Sequence, residues 1–455
     1  MMGEPVFTIR GAHVVDGDGV AVRDVVVEGG QIAEIGVEVT ARGETVDGHG
    51  MHLIAGVLDC HVHFNDPGRA HWEGWATGSA AAASGGTTTV LEMPFNALPP
   101  TVDRESFHAK VDAADGRSLV DFGLFGGMHG GNLTRLEELS DLGVAGFKAF
   151  MCDTGLDEFP GISPDELFKG MQICAGLGRT VLVHAETHAH PPAADAPPGS
   201  GLEQIRRYLA ARPAETEVDA VRSAIDMAEA SAARLHIVHV SAEESLHAIR
   251  AGRAKGVDVS AETCPHYLSL ESGDVEQLGA VAKCSPPIRD HENQQALWAG
   301  ISEGVLTMVG SDHSPAGPAE KLERPFEEAW GGIAGCQSLL ANMLTRGVHE
   351  RGVALPTVSE LLGRAPAHRF GIPSKGVLEI GADADLALVD LDRTFTLKTA
   401  DLRYRHAMSP YVGISFRGAV VRTWLRGRPL VVDGTVDKAA ANGRFLPATP
   451  FGVPQ

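Results

Sequence analysis

No stretch of this chain approaches the ~18 consecutive apolar residues that a membrane-spanning helix requires, so no transmembrane segment is expected. The start, Met1-Met2-Gly3-Glu4-Pro5, lacks a basic region followed by an apolar stretch, and no secretory leader is expected either. Cysteine is sparse. Cys60, Cys152, Cys174, Cys264, Cys284 and Cys336 form no CxxC pair, which fits free thiols in a reducing cytoplasm. Positive charge is also short: 38 Lys and Arg against 59 Asp and Glu give a formal net charge of -21. That balance argues against nucleic acid and anionic membrane as partners, and as a solvated acidic surface it says nothing about substrate. No linker, tandem repeat or low-complexity tract is present, and no GxGxxG or P-loop follows an apolar run.

What remains is 455 residues, 44% hydrophobic and 21% charged, normal for one large core or two domains. Both ends alternate like short strands: Val6-Phe7-Thr8-Ile9-Arg10 and Val25-Val26-Val27 near the start, then Asp385-Leu386-Ala387-Leu388-Val389, Ala419-Val420-Val421 and Leu430-Val431-Val432 near the finish. Residues 1–54 and 366–455 are therefore expected to form one small β-sandwich domain. Between them, strands and helix-sized segments alternate. Strand candidates end near Phe64, Pro94, Gly126, Met151, Glu186, Ser241, His266 and His313, with alanine-rich amphipathic stretches such as 77–84, 217–233 and 242–254 between them. Eight such units over 55–365 predict a (β/α)8 TIM-like barrel of the α/β class. A doubly wound open sheet is the alternative, without a nucleotide-loop motif to favour it.

Reactive groups of such barrels lie at the C-terminal ends of the strands. His61 and His63 end the first run; one residue apart on a strand, they face the same way and can reach one point. Two neutral nitrogen donors there suit a zinc-type ion. Alone, the pair reads equally well as ordinary histidine. The fourth run carries Lys148 amid apolar residues, the fifth ends with His184, the sixth with His239 and the eighth with Asp312. Each has a plain structural explanation singly: a hydrogen-bonded core histidine, a snorkelling lysine, a helix-capping aspartate. Five strand ends bearing them together point to a site. Burial lowers the pKa of a lysine and frees its amine. A neutral amine can add carbon dioxide to give a carbamate, which can bridge two cations. Four histidines, a carbamate and an aspartate suffice for a binuclear centre with ions ~3.5–4 Å apart.

The ordered set DxHVH, GFKAFM, VHAE, HVS and SDHSP resembles the cyclic amidohydrolases of the amidohydrolase superfamily, which include dihydroorotases, dihydropyrimidinases (hydantoinases) and allantoinases. The resemblance covers nearly the whole chain. It implies that His61 and His63 bind a first metal, that His184 and His239 bind a second, and that Lys148, N6-carboxylated, bridges them. It implies that Asp312 is both a first-metal ligand and the proton shuttle. Two divalent ions are implied, zinc by family habit, with iron, cobalt or manganese as alternatives; a homotetramer or dimer is implied as well.

Departures narrow the ring that is opened. Dihydroorotases place an arginine after HxHx to bind a carboxylate, whereas this chain has Asn65. Hydantoinases usually carry a tyrosine five residues after the bridging lysine, where Asp153 stands here, and an NGxxG loop that here reads Gly331-Gly332-Ile333-Ala334-Gly335. Asn65-Asp66-Pro67-Gly68-Arg69 with Trp72-Glu73-Gly74, MPFNALPPT, AETCPHYL, KCSPPIRD and His406–Gly413 resemble the allantoinase branch. The implied reaction on this cyclic ureide breaks the N3–C4 amide of allantoin through a metal-bridging hydroxide, and Asp312 passes the proton to the leaving nitrogen. Ser285 resembles the residue whose backbone holds the ring imide, and Asn65, Asp153, Gly331 and Gly332 are candidate contacts for the ureido group. Trp72, Glu73 and Asn96 read as loop scaffold or as substrate contacts. His266 and His313 are expected to orient neighbouring groups, while Cys60, Cys152 and Cys284 read as small hydrophobic filler. A hydantoinase or dihydropyrimidinase is the alternative activity, and a non-catalytic assembly homologue is the remote one. Every ligand position of the family is filled here.

Overall fold

The computed structural model describes residues 5–17, 19–188, 201–372 and 374–452. Its central feature is a ring of parallel strands: Val57–Val62, Thr87–Glu92, Asp121–Leu124 continued by Gly126–Gly127, Gly146–Phe150, Thr180–His184, Arg234–Ile237, Val259–Thr263 and Met308–Val309. Each pairs in parallel with its neighbour in this order. The third strand is interrupted at Phe125, so its first half pairs with the second strand and its second half with the fourth. The ring closes where Val62 bridges His313 and the His63 amide donates to the His313 carbonyl at 2.8 Å. Closure removes the open edges that a doubly wound sheet would keep. The expected strands all lie in this ring. Runs such as Val57–Val62 and Thr180–His184 are buried at every position, as strands covered on both faces must be.

Helices cover the outside of the ring, and the local sequence explains several of their limits. Pro164–Leu177 opens with a capping box in which Ser163 and Glu166 serve each other's backbone amides, with proline in the first turn. It ends at Gly178, whose φ of 64° is a conformation open to glycine without strain. Ala214–Ser231 buries a stripe of Val218, Val221, Ala224, Ile225 and Ala228, the spacing of one helical face.

Strands from both termini form a second unit, a nine-stranded sheet. Thr435–Val436, Arg428–Val432, Ser415–Leu425, Leu386–Thr396, His52–Ala55, Val6–Asp16, Gly19–Glu28 and Gln31–Gly36 follow one another in space, and Glu44–Asp47 pairs beside Val6–Asp16. His52–Ala55 leads through Gly56 directly into the first barrel strand, so the sheet fixes where that strand begins. A buried ion cluster fastens the two units. The Lys375 ammonium contacts Asp121 on the third barrel strand at 2.7 Å, and Asp385 and Asp383 near the sheet at 2.7 and 2.9 Å. Arg426 also pairs with Asp121.

Two segments assigned from sequence to the terminal unit pack against the barrel instead. Helix Ala365–Phe370 lies under the ring: Arg369 pairs with Asp258 and donates to the Leu235 carbonyl at 2.6 Å, while Phe370 meets Phe125 with centroids 5.1 Å apart. Residues 443–451 return there too, with Phe445 bridging Phe122 and stacking edge-on against Phe107. The open N-terminal end of a barrel exposes apolar side chains, and these two segments cover it.

Candidate metal centre

At the opposite, C-terminal end of the ring, His61, His63, Lys148, His184, His239 and Asp312 line one cavity of about 570 Å³. The strand register alone would not aim all of them inward. His239 and Asp312 lie just past their strands with φ of 40° and 44°, a left-handed conformation that non-glycine residues rarely adopt. The barrel wall holds this strain, and strained backbone of this kind concentrates at functional sites.

The donor atoms converge in two groups. Asp312 Oδ1 lies 3.3 Å from His61 Nε2 and 3.4 Å from His63 Nε2. Ligands of a tetrahedral ion at 2.0–2.1 Å stand about 3.3–3.4 Å apart, so this triad fits a zinc-type cation. His184 Nδ1 and His239 Nε2 are 2.9 Å apart, the spacing of two ligands about 90° apart on such an ion. Burial lowers the His63 imidazole to about 4, keeping it in the neutral form that a metal requires. Burial works against charge on Asp312, yet His61, His239 and His63 hold its carboxyl well below the usual carboxylate range.

Lys148 sits between the two groups, fully buried, and its Nζ has no hydrogen-bond partner among the described residues. An ammonium so placed is costly. Burial pulls it down to about 8 although Asp312 and Glu262 act to raise it. An orphaned amine among imidazoles and a carboxylate fits a carboxylated lysine that bridges two cations.

Supporting groups fix these donors, and the strongest of them carried no role in the sequence reading. Glu262, on the seventh barrel strand, accepts from His61 Nδ1 at 2.5 Å through one oxygen and contacts His236 Nε2 at 3.1 Å through the other. It therefore sets the His61 tautomer, leaving Nε2 free to ligate. The signal was present, since Glu262 is a carboxylate on the apolar strand that opens the AETCPHYL motif, on the same face as Ser260. Glu92 accepts the Phe64 amide and pairs with buried Lys110 at 3.6 Å, which pins the backbone after the HxH pair. Asp59 accepts the Ser311 amide at 2.9 Å and ties the first strand to the last. His313 Nδ1 accepts the Gly335 amide at 3.2 Å, an orienting role of the expected kind, while both His266 nitrogens lack partners among the described residues.

The expected substrate contacts divide. Asp153, Ser285 and Gly331 line the cavity. Asn65 and Gly332 are not on its wall among the described residues. Asn65 is fully buried and donates to the Pro315 carbonyl at 3.1 Å, with a φ of 63° turning its side chain into the loop. Gly332 abuts Ser314, and its carbonyl accepts from Lys321 at 2.5 Å. The Asn65 Nδ2 and the Gly332 carbonyl are thus taken up by neighbouring loops rather than turned to the cavity, while the buried Asn65 Oδ1 has no partner among the described residues. Asn96 instead lines the cavity, with a φ of 69° and its Nδ2 3.4 Å from Ser314 Oγ, whereas Glu73 is buried against the Arg405 backbone. Trp330 also lines the wall, its ring tilted against that of Trp72 with centroids 4.8 Å apart. Away from this site, a cluster of carboxylates, Asp121, Asp383 and Asp385, is filled by the Lys375 ammonium rather than open to a metal.

Residues 52–430 match the Amidohydrolase family. The chain is 47% identical over 440 residues to an allantoinase of Rubrobacter xylanophilus, covering 96% of both chains. It is 45% identical to an allantoinase of Deinococcus radiodurans, covering 96% of this chain and 98% of that one. Among solved structures it is similar to the L-hydantoinase (dihydropyrimidinase) from Arthrobacter aurescens, with a TM-score of 0.90, 32% identity, and 97% and 99% of the two chains covered.

Proposed function

Because this chain belongs to the amidohydrolase family, we propose that it hydrolyses a cyclic ureide, opening allantoin to allantoate. The observation that carries this reading is likeness along almost the whole chain to relatives named allantoinase, 47% and 45% identical, joined to a filled set of ligand positions. The solved hydantoinase structures favour a second reading, a plain hydantoin or dihydropyrimidine ring as substrate.

His61, His63 and Asp312 would hold one divalent cation, His184 and His239 another, with carboxylated Lys148 between them; zinc is the ion whose ligand spacing the triad fits. Cations bound there polarise the ring carbonyl and acidify the attacking water. The remaining work falls to this chain's residues. Asp312, ionised at neutral pH, takes the water's proton and returns it to the leaving ring nitrogen. Glu262 keeps His61 in one tautomer. The Ser285 and Gly331 backbones and the Asn96 amide face the ring from the cavity wall, and Phe95 and Phe150 close its inner side.

The wider assignments belong to the same reading. The terminal sheet is a small sandwich: Val6–Asp16 changes partner from Glu44–Asp47 to His52–Ala55 beyond an irregularity at Ile9/Ala12. Phe7 and Trp424 then stack across one shared core that includes Val25, Leu53 and Leu388. Six free cysteines, five of them buried, favour a reducing cytoplasm, and no described helix is long and apolar enough to cross a membrane. A homotetramer or dimer rests on family likeness alone.

Turnover of allantoin, hydantoin, dihydrouracil and dihydroorotate by metal-loaded protein tests the substrate. Allantoin should be the best of the four. An enzyme that opens plain hydantoin and leaves allantoin untouched overturns the reading.

A further inference from the structure

Allantoin differs from hydantoin by an exocyclic ureido arm, which carries one carbonyl acceptor flanked by N–H donors. A selective cavity must therefore present donors and an acceptor on the wall that the arm meets, and leaving either unmatched would cost binding.

One stretch of wall has that composition. Arg212, in the turn between helices Gly201–Ala210 and Ala214–Ser231, lines the cavity with Glu186, Ser285, Tyr208 and Lys283. Its guanidinium lies over the Tyr208 ring, Cζ to centroid 4.2 Å, and among the described residues no carboxylate or carbonyl pairs with it. Tyr208 is itself anchored, donating to the Cys284 carbonyl at 2.7 Å, so the ring that the guanidinium covers is held in place. Lys283, the neighbouring cation, is already committed to the carbonyls of Glu327 and Ala329 at 2.9 and 2.6 Å. Among the described residues, Arg212 is thus an uncommitted donor on this stretch of wall.

The acceptor is Glu186. Its Oε2 takes hydrogen bonds from His184 Nε2 at 2.9 Å and Ser285 Oγ at 2.8 Å. Its Oε1 is buried and has no partner among the described residues. A buried carboxylate oxygen left unmatched is costly, and a ligand N–H would relieve it.

We propose that Arg212 and Glu186 form a ureido-reading pair, the guanidinium donating to the arm's carbonyl and Glu186 Oε1 accepting from its N–H, so that they decide between allantoin and an unsubstituted hydantoin. The inference rests on allantoin being the substrate. Arg212 is a specificity-determining residue. Glu186 has a second task in holding His184, so the cleaner variant is at Arg212.

The test compares kcat/KM for allantoin and for hydantoin in the wild type, Arg212→Met and Arg212→Lys. Arg212→Met should lose about 30-fold on allantoin, the range expected when one polar contact goes unmatched, while hydantoin, which lacks the arm, should change less than about threefold. Arg212→Lys, keeping the charge without the fork, should recover part of the loss. Hydantoin turnover in each variant also reports that the fold is intact, and Arg212→Gln replaces Arg212→Met should the latter not fold. Equal losses on both substrates, or none on either, overturn the pair. A wild-type enzyme inert on allantoin overturns the substrate reading first and the pair with it.

Discussion

At the inner end of the cavity the polar groups project from a strand or from the short turn just past its tip, and His61, His63, Lys148 and Glu262 are each no more than 1% exposed. Toward the mouth, Asp153, Arg212, Trp330 and Gly331 come from loops and helix ends far apart in sequence, and several are partly or fully exposed. The inner groups are held by one another and by the closed ring. The outer ones are held loop to loop, as where Lys321 donates to the carbonyls of Lys283, Trp330 and Gly332 at 3.1, 2.9 and 2.5 Å. A rigid inner end suits chemistry common to many rings, and a wall of independently anchored loops suits discrimination among them.

Changes at the inner end should therefore cost activity on every ring alike, and changes at the wall should alter the ranking of substrates. Lys148→Ala is expected to have the largest effect, lowering kcat about a thousandfold or more on every ring, because the proposed bridging group would go and cation affinity would fall with it. Metal content and kcat measured together check this. A variant that keeps two ions per chain, or spares one substrate, breaks the comparison. In the wild type, intact-mass measurement should show the added mass of one carbon dioxide on Lys148; an unmodified lysine beside a single ion removes the bridge.

Glu262→Gln comes next. It weakens the hydrogen bond that fixes His61 and should lower metal affinity about 10- to 100-fold, again without changing substrate order. Chelator competition reads it, and unaltered metal retention would show that His61 is held by other contacts.

Asn96→Gly probes the wall. Glycine keeps the left-handed backbone at φ 69° without strain and removes only the amide, so KM should rise about tenfold on rings that use this contact, with kcat nearly unchanged. A fall in kcat with unchanged KM would move Asn96 into the inner, chemical group.

The smallest effect is at Lys321, where burial brings the ammonium from its usual 10.5 down to about 7. Between those values the unfolded chain carries the extra proton, so stability rises with pH across that window, and this contribution is lost as pH falls through about 7. Lys321→Met should flatten the slope, seen by comparing urea midpoints of wild type and variant near neutrality and near pH 9.5. Parallel slopes would mean that the three carbonyls around Lys321 keep it charged throughout.

The inner end was legible because strand periodicity places i and i+2 side chains on one face, and a barrel gathers strand ends at one rim. His61, His63, Lys148, His184, His239 and Asp312 could therefore be assembled from the linear sequence and then found on one cavity wall. Glu262 was missed although its strand was found, because an inward carboxylate has a meaning only once its partner His61, 201 residues away, is known. The wall was less legible. Asn65 drew notice as the residue standing where dihydroorotases have an arginine, but loop conformation, not spacing, sets its direction, and its Nδ2 donates to Pro315. Asn96 had been left open between scaffold and contact, and Arg212 carried no local signal.

By itself the sequence determined the alternation of strands and helices, the apolar strands that must be buried on both faces, and the residue types at their tips. These follow from local periodicity and from the cost of exposing apolar surface. Only the tertiary structure decided which loops spend their polar groups on each other and which keep them for a ligand. That choice depends on contacts between segments such as 65 and 315, or 186 and 285, whose separations no local pattern encodes.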